Sequence, residues 1–367
     1  MQALPLPAGI RSRLVERNNG LRMHVLEAGD PRAPGLLLLH GFPELAFSWR
    51  KVMLPLAEAG YHVMAPDQRG YGRTTGWDPD YDGDLASYHL LNLARDALGV
   101  VRALGHDTVH LAGHDFGSWV AAWCALVRPD VFRAVALMSA PFTGPPGLVP
   151  EAPDPIHDAL AALHRPRKHY QAYYRTREAN RDMTHCAQGL HAFLRAYFHM
   201  KSADWAQNRP APLAGWTAPE LARMPTYYVM DLHETMAQTV AHEMPSREQV
   251  AACRWLTEAE LAVYSAEFGR TGLQGGLQWY RARVEPPLPR LFELFAGRRI
   301  EVPACFIAGK SDWGPYQRPG SLEDMRDKAC ARYLGTHLVD GAGHWVQQEQ
   351  PEAVAGLLRA FYGAQRG

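Results

Sequence analysis

The chain has 367 residues, 47% hydrophobic and 21% charged, with Lys+Arg and Asp+Glu both at 38. That length holds about two domains, or one large domain with an insertion, and enough apolar material for a core without disulfides or metals, which excludes a disordered chain. The formal net charge of zero removes any long-range electrostatic case for a nucleic acid or an anionic membrane as partner.

The five cysteines, Cys124, Cys186, Cys253, Cys305 and Cys330, are odd in number and widely spaced, with no CxxC. Reduced thiols in a cytoplasm are therefore expected. Met1 to Pro7 has no basic start followed by a long apolar stretch, so no secretory signal is expected. The longest purely aliphatic run, Leu36 to Leu39, is too short to span a bilayer.

Leu36–Leu39 predicts a buried strand that stops at His40-Gly41. Trp49, Val52, Leu56 and Ala59 have helical spacing, closed by Gly60, and 61–65 reads as a strand broken at Pro66-Asp67. Leu90, Leu91, Ala94, Leu98, Val101 and Leu104 form one helical face ending at Gly105. A strand over 109–113, a helix over 118–127 and a strand over 134–138 follow. Strands alternating with helices of this length predict an α/β fold whose parallel sheet is covered on both faces.

From Pro141 to about Pro289 the pattern changes to segments rich in Tyr, Trp, His, Met and Arg, helical and without clear buried strands. Alternation then resumes, with strands over 304–308 and 333–339 and helices over 323–329 and 351–362. The expected organisation is a core over 1–141, an inserted helical cap over 142–297, and the rest of the core over 298–367. No internal repeat or low-complexity tract is present.

The sharpest motif is Gly113-His114-Asp115-Phe116-Gly117, between a predicted strand and a predicted helix. A tight strand-to-helix turn exposes its central residue, and small residues two before and two after let it close; the pattern is that of a nucleophile elbow. Asp115 stands where serine is usual. A carboxylate is already anionic at neutral pH, so it attacks saturated carbon without a base and leaves an ester. The competing reading is an ordinary helix-capping aspartate. Asp312 and His344 then follow two late strands, in the order nucleophile, acid, histidine. In these roles His344 takes a proton from water, while Asp312 orients the imidazole and stabilises its cation.

His40-Gly41-Phe42-Pro43-Glu44 follows an earlier strand and can aim a backbone N–H at the nucleophile. Phe42 and Phe116 are the candidate oxyanion-hole amides, each worth roughly 3 kcal/mol of barrier. The Phe42–Pro43 bond is expected to be cis, as a proline in so tight a turn often is. His40 and Pro43 from this loop are further candidates for placing substrate or water. Glu44 either places the hydrolytic water or is a surface or loop-stabilising carboxylate.

Together these motifs, with Ser48-Trp49-Arg50, Asp67-Gln68-Arg69-Gly70-Tyr71-Gly72 and Gly343-His344-Trp345, resemble the α/β-hydrolase superfamily and, within it, the soluble epoxide hydrolases. The likeness runs in order over nearly the whole chain. It implies an α/β-hydrolase fold with a helical cap, no cofactor or metal, and a small-molecule epoxide as substrate. It also implies two cap tyrosines that bind the epoxide oxygen. Gly276-Leu277-Gln278-Trp279-Tyr280-Arg281 looks like the second-tyrosine motif, which assigns Tyr280, with Trp279 beside it as a positioning candidate. His169-Tyr170-Gln171-Ala172-Tyr173-Tyr174 resembles the first-tyrosine segment, which assigns Tyr170, with Tyr173 and Tyr174 as rivals.

Two chemistries use an aspartate at this elbow. A halide leaves as a weakly basic anion and needs only N–H donors; haloalkane dehalogenases of this fold place a tryptophan after the nucleophile, where this chain has Phe116. An epoxide oxygen leaves as a basic alkoxide and needs a proton, which a phenol with a pKa near 10 carries at neutral pH. The expectation is an epoxide hydrolase forming vicinal diols through an ester on Asp115. The alternatives are a haloalkane or haloacid dehalogenase and a non-catalytic ligand-binding protein of the same fold.

Three departures stand out. The cap is long, with an excess between Met200 and Met244 that either reshapes the channel, covers the site or builds a dimer contact. Ser118 replaces a second glycine and reads as a first-turn helix residue. The basic run 164–169 reads as a solvated helix face, and His233-Glu234 and His242-Glu243 lack zinc-ligand spacing. Monomer and homodimer are equally compatible with the sequence.

Overall fold

The computed structural model describes residues 3–148 and 154–365. Met1 and Gln2, part of the segment read for a signal, and residues 149–153 of the expected cap lie outside the described residues, as do 366–367. The strands are β1 (Ile10–Asn18), β2 (Leu21–Ala28), β3 (Gly35–Leu39), β4 (His62–Pro66), β5 (Val109–His114), β6 (Phe132–Met138), β7 (Arg167–His169), β8 (Val229–Asp231), β9 (Ile300–Gly309) and β10 (Cys330–Val339).

Eight of them form one sheet in the order β1-β2-β4-β3-β5-β6-β9-β10. β1 and β2 pair antiparallel, as do β2 and β4, and the other pairs are parallel. Alternate residues of β3 serve opposite faces. Leu36 and Leu38 join Trp49, Leu56, Leu358 and Tyr362 on one side, while Leu37 and Leu39 join a core that continues into the insertion. The parallel strands deliver the loops after β3, β5, β9 and β10 to one edge, and the strand order reverses around β3, where sites form in open parallel sheets.

The central strands are apolar runs because both their faces are covered. β1 and β2 carried no such signal. β1 is an edge strand whose charged residues face water, and β2 buries His24 and Glu27. Those polar groups are satisfied by His24 Nδ1 with Asp67 at 2.8 Å and His62 Nε2 with Glu27 at 3.1 Å.

Three expectations need correction. The insertion contains a two-stranded antiparallel sheet, β7 with β8, besides its helices. The basic run 164–169 leads into and forms β7 over its last three residues, instead of a solvated helix face; Arg165 pairs with Asp231, and buried Arg167 bonds the Val229 carbonyl across the ladder. The helix expected over 323–329 is a short turn, Ser321–Asp324, followed by a wider one, Met325–Ala329. Three helices of the insertion start at capping boxes, Thr235/Gln238, Ser246/Gln249 and Thr257/Glu260, which tie each N-cap to the third residue of its helix. Among the described residues, no helix is long and apolar enough to cross a membrane.

Candidate active site

β5 ends at His114 and the helix Phe116–Val127 starts at once, so Asp115 alone turns the chain, with φ 53° and ψ −121°. A non-glycine residue held there costs on the order of 1–3 kcal/mol. The turn closes because its flanks are bare: a Cβ on Gly113 would strike the Gly117 carbonyl. A Cβ on Gly41 would strike the Asp115 carboxylate itself, so the β3 loop lies directly over the turn. Ser118 sits in the first turn of the helix, and its Oγ donates to the Ala140 carbonyl at 2.7 Å.

The Phe42 N–H donates to Asp115 Oδ1 at 2.9 Å, and His344 Nε2 lies 3.3 Å from Asp115 Oδ2. His344 Nδ1 is 3.1 Å from Asp312 Oδ1, which also accepts the Gly314 N–H at 2.7 Å. Phe116 opens the helix, where the first N–H groups have no partner within the helix. The Phe42–Pro43 bond is cis. Burial alone would raise the Asp115 pKa, but the hydrogen bond and charge of His344, with Lys201 and His114, outweigh it and hold the carboxyl well below the usual range. Asp312 is lowered likewise, burial being outweighed by His344 and the Gly314 N–H.

Beneath His344 lies a buried polar layer. His114 Nε2 is 2.6 Å from the His344 carbonyl oxygen, and its Nδ1 is 2.7 Å from Glu44 Oε2. Glu44 also accepts from Gln347 at 3.0 Å and Gln348 at 2.9 Å, and Gln348 accepts from Arg50 at 2.9 Å. Glu44 is 0% exposed, so it is not a surface carboxylate. Burial disfavours its ionisation, but His114 lowers its pKa overall, and Glu44 in turn raises that of His114 against burial. Both ring nitrogens of His40 are engaged by backbone, with the Gly41 carbonyl at 3.0 Å and the Gln68 N–H at 3.1 Å, so it shapes the loop.

Two tyrosine rings from the insertion, Tyr170 and Tyr280, stand 6.2 Å apart, with Tyr174 packed against both. The Tyr280 ring also packs on Phe116 at 5.1 Å and Phe42 at 5.7 Å. Tyr170 accepts from Gln171 at 3.1 Å, which leaves its own proton uncommitted, and the Tyr280 hydroxyl has no hydrogen bond among the described residues. The rivals are occupied: Tyr173 donates to Asp182 at 3.2 Å and Tyr174 to Tyr197 at 2.9 Å. Burial first, then the Asp115 charge, raises the pKa of both Tyr170 and Tyr280. Trp279 donates to the Arg69 carbonyl at 3.0 Å and packs on Phe116, so it sets the height of Tyr280 over the turn.

Sequence reasoning missed Lys201. Its side chain is 3% exposed, with Nζ 4.9 Å from the Tyr228 ring centre and 5.4 Å from that of Trp345. Burial lowers its pKa, while Asp115, Asp312 and Glu44 act to raise it. His114 was missed as well, although it sits inside the elbow motif. Nothing in the spacing of either residue marks it, because their partners come from distant segments.

The family model for the alpha/beta hydrolase fold matches residues 34–351. Epoxide hydrolase A of Mycobacterium tuberculosis is 34% identical over 362 residues, which cover 95% of this chain and 96% of that protein. The structure is similar to that of an epoxide hydrolase from an endophytic Streptomyces, at 31% identity and a TM-score of 0.77, covering 98% of this chain and 97% of the other. It is also similar to epoxide hydrolase A from Mycobacterium thermoresistibile, at 34% identity and a TM-score of 0.74, covering 96% and 98%. The chain belongs to the α/β-hydrolase fold family and, within it, to the epoxide hydrolases.

Proposed function

We propose that the protein is an epoxide hydrolase, a hydrolase that opens small-molecule epoxides to vicinal diols without a cofactor. The observation that carries this reading is the pair of uncommitted phenols, Tyr170 and Tyr280, above an aspartate at the elbow. A halide needs no proton, whereas an alkoxide does, and a buried tyrosine with a raised pKa holds its proton across the neutral range. Phe116 has no side-chain N–H to offer a halide, which disfavours the dehalogenase reading.

In the first step the two hydroxyls bind the epoxide oxygen while an Asp115 oxygen attacks one ring carbon. The C–O bond breaks, the new alkoxide takes a tyrosine proton, and a hydroxyalkyl ester remains on Asp115. In the second step His344, oriented by Asp312, takes a proton from water, and the hydroxide adds to the ester carbonyl. The N–H groups of Phe42 and Phe116 hold the oxyanion. Collapse expels the second oxygen as an alkoxide, which takes the proton of the new Asp115 carboxyl so that the diol leaves and Asp115 is again ionised, and the His344 proton returns to the tyrosinate. Glu44 acts through His114 on the His344 main chain, and His40, Pro43 and Trp279 fix the loop and tyrosine around the carboxylate.

In this reading residues 1–141 and 298–367 are the hydrolase core and 142–297 the cap. Both ends of the cap pack on one core ring: Phe142 meets Trp123 at 5.8 Å and Phe292 stacks on it at 4.5 Å. Five free cysteines fit a cytoplasmic enzyme.

The test is product analysis on aryl and alkyl epoxides beside chloro- and bromoalkanes, with wild type, Asp115→Ala and Tyr280→Phe. Diol from epoxides, lost or strongly reduced in both variants, supports the reading. Halide release without diol transfers the site to dehalogenation.

A further inference from the structure

Trp119 lies four residues beyond Asp115 on the elbow helix, and Arg283 lies three residues beyond Tyr280, just past the helix Gln274–Ala282. Three and four residues of helix rise about 4.5 and 6 Å, so along its own chain segment each residue stands roughly one turn beyond a reacting one. They meet there, with the Arg283 guanidinium carbon 3.8 Å above the Trp119 ring. Trp119 packs edge-on against Phe116 at 5.1 Å, and Phe116 against Tyr280 at 5.1 Å, so the stacked pair continues the wall that holds Tyr280.

Arg283 is half-buried and has no hydrogen bond or ion pair among the described residues. This sets it apart. Arg50, Arg69, Arg195 and Arg281, all more deeply buried, each hold a carboxylate within 2.8 Å. Besides Tyr170 and Tyr280, the main groups acting on Arg283 are two more arginines, Arg175 and Arg318. Buried His169, next to Tyr170, is pushed down to about 3 by burial and then by His157, Arg175 and Arg283. The nearby carboxylate Glu285 is engaged by Arg281 at 2.6 Å. This side of the site thus gathers positive charge around Arg283, which has no carboxylate partner among the described residues and lies within electrostatic reach of both phenols.

We infer that Arg283, held flat on Trp119, binds an anionic group of the substrate, so that the enzyme favours short epoxides carrying a carboxylate about one helical turn from the oxirane. The inference rests on the epoxide hydrolase reading and deepens it. A planar guanidinium matches a carboxylate with two parallel N–H donors. The distance matters because a carboxylate next to the oxirane would meet the ionised Asp115, whereas one displaced by a turn reaches Arg283 and leaves the tyrosines the neutral oxygen.

The experiment compares kcat/KM for 4-(oxiran-2-yl)benzoate and 5,6-epoxyhexanoate with their methyl esters, and includes styrene oxide as a neutral epoxide. Wild type should prefer at least one acid to its ester by about 10-fold or more, the scale of a charge-assisted hydrogen bond. In Arg283→Met the acid-to-ester ratio should fall roughly 10- to 100-fold, mainly through KM, because the carboxylate is held equally before and in the transition state. Arg283→Lys should retain part of the preference. Diol from styrene oxide without acid preference in wild type overturns the anion subsite and leaves the hydrolase reading standing. So does a loss in Arg283→Met that is equal for acid and ester, the mark of a residue that only packs on Trp119. Absence of diol from every epoxide overturns both readings together.

Discussion

The backbone N–H of His344 donates to the carbonyl oxygen of Lys201 at 2.8 Å, which joins the last residue of the helix Gly189–Lys201 to the loop carrying His344. The contact continues on both sides. Gly343 lies so close to the Lys201–Ala203 backbone that a Cβ there would clash with it, and Glu349 accepts the N–H groups of both Ala203 and Gly343, at 2.8 and 2.9 Å. The start of the long segment 200–244 therefore braces the histidine loop, which bears on the choice its sequence left open.

If Asp115 is the nucleophile and His344 the base for the second step only, the two can be separated. His344→Gln should still open an epoxide once, and an adduct of substrate mass should accumulate on Asp115, visible by mass spectrometry of the intact chain. Turnover should fall by about 100- to 10,000-fold, the range for loss of a general base. Asp115→Ala should show neither adduct nor turnover. An adduct on any residue other than Asp115 would sink the assignment.

Removing either cap hydroxyl should cost about 10- to 1,000-fold in kcat/KM, the range for a donor aimed at developing charge. Tyr170→Phe and Tyr280→Phe are the relevant variants. Tyr173→Phe is the control, since its hydroxyl is spent on Asp182; a loss as large as that of Tyr170→Phe would move the first-tyrosine role.

The pH behaviour follows from the direction of the shifts. An unfolded aspartate titrates near about 3.9 and folded Asp115 lower still, so its ionised form contributes stability above that pH. That contribution is lost as pH falls through the folded value. Asp115→Asn should therefore melt below wild type at pH 7, with the gap closing on acidification below about pH 4. A gap that widens with acid contradicts the shift.

Lys201 is one of the charges that keep Asp115 ionised. Lys201→Met should move the acid limb of the kcat/KM profile to higher pH while leaving the order of substrate preference alone. The profile from pH 3 upward, compared with wild type, is the measurement. An unmoved limb would mean that the cation serves only its ring contacts.

Glu44→Ala should destabilise the fold by about 3–5 kcal/mol, the cost of removing one partner from a buried charged pair, because His114, Gln347 and Gln348 lose a common acceptor. Urea unfolding measures it. Since Glu44 bears on His344 through His114 and by its charge, and not on the substrate, kcat should fall more than KM rises.

Legibility differed by element, for physical reasons. β3, β5 and β9 were visible because strands covered on both faces must be apolar throughout. β1, half exposed and charged, and β2, with buried His24 and Glu27, were not, since apolar counting cannot see polar groups that are satisfied by partners elsewhere in the chain. β7 and β8 are three residues each, too short for any period.

The sequence by itself showed the elbow pattern, because a tight turn imposes small residues on its neighbours, and the chain order of Asp115, Asp312 and His344; the two tyrosine motifs were legible only through the resemblance to epoxide hydrolases. Only the tertiary structure decided which tyrosine protons lack an acceptor among the described residues, that Glu44 lies under His344 and not on the surface, that Lys201 is buried beside Trp345, and that Arg283 has no carboxylate among those residues. Those properties depend on partners up to 304 residues apart in the chain, as for Glu44 and Gln348. Hydrogen-bond satisfaction and burial are settled by what folding brings into contact, and one-dimensional spacing does not encode that contact.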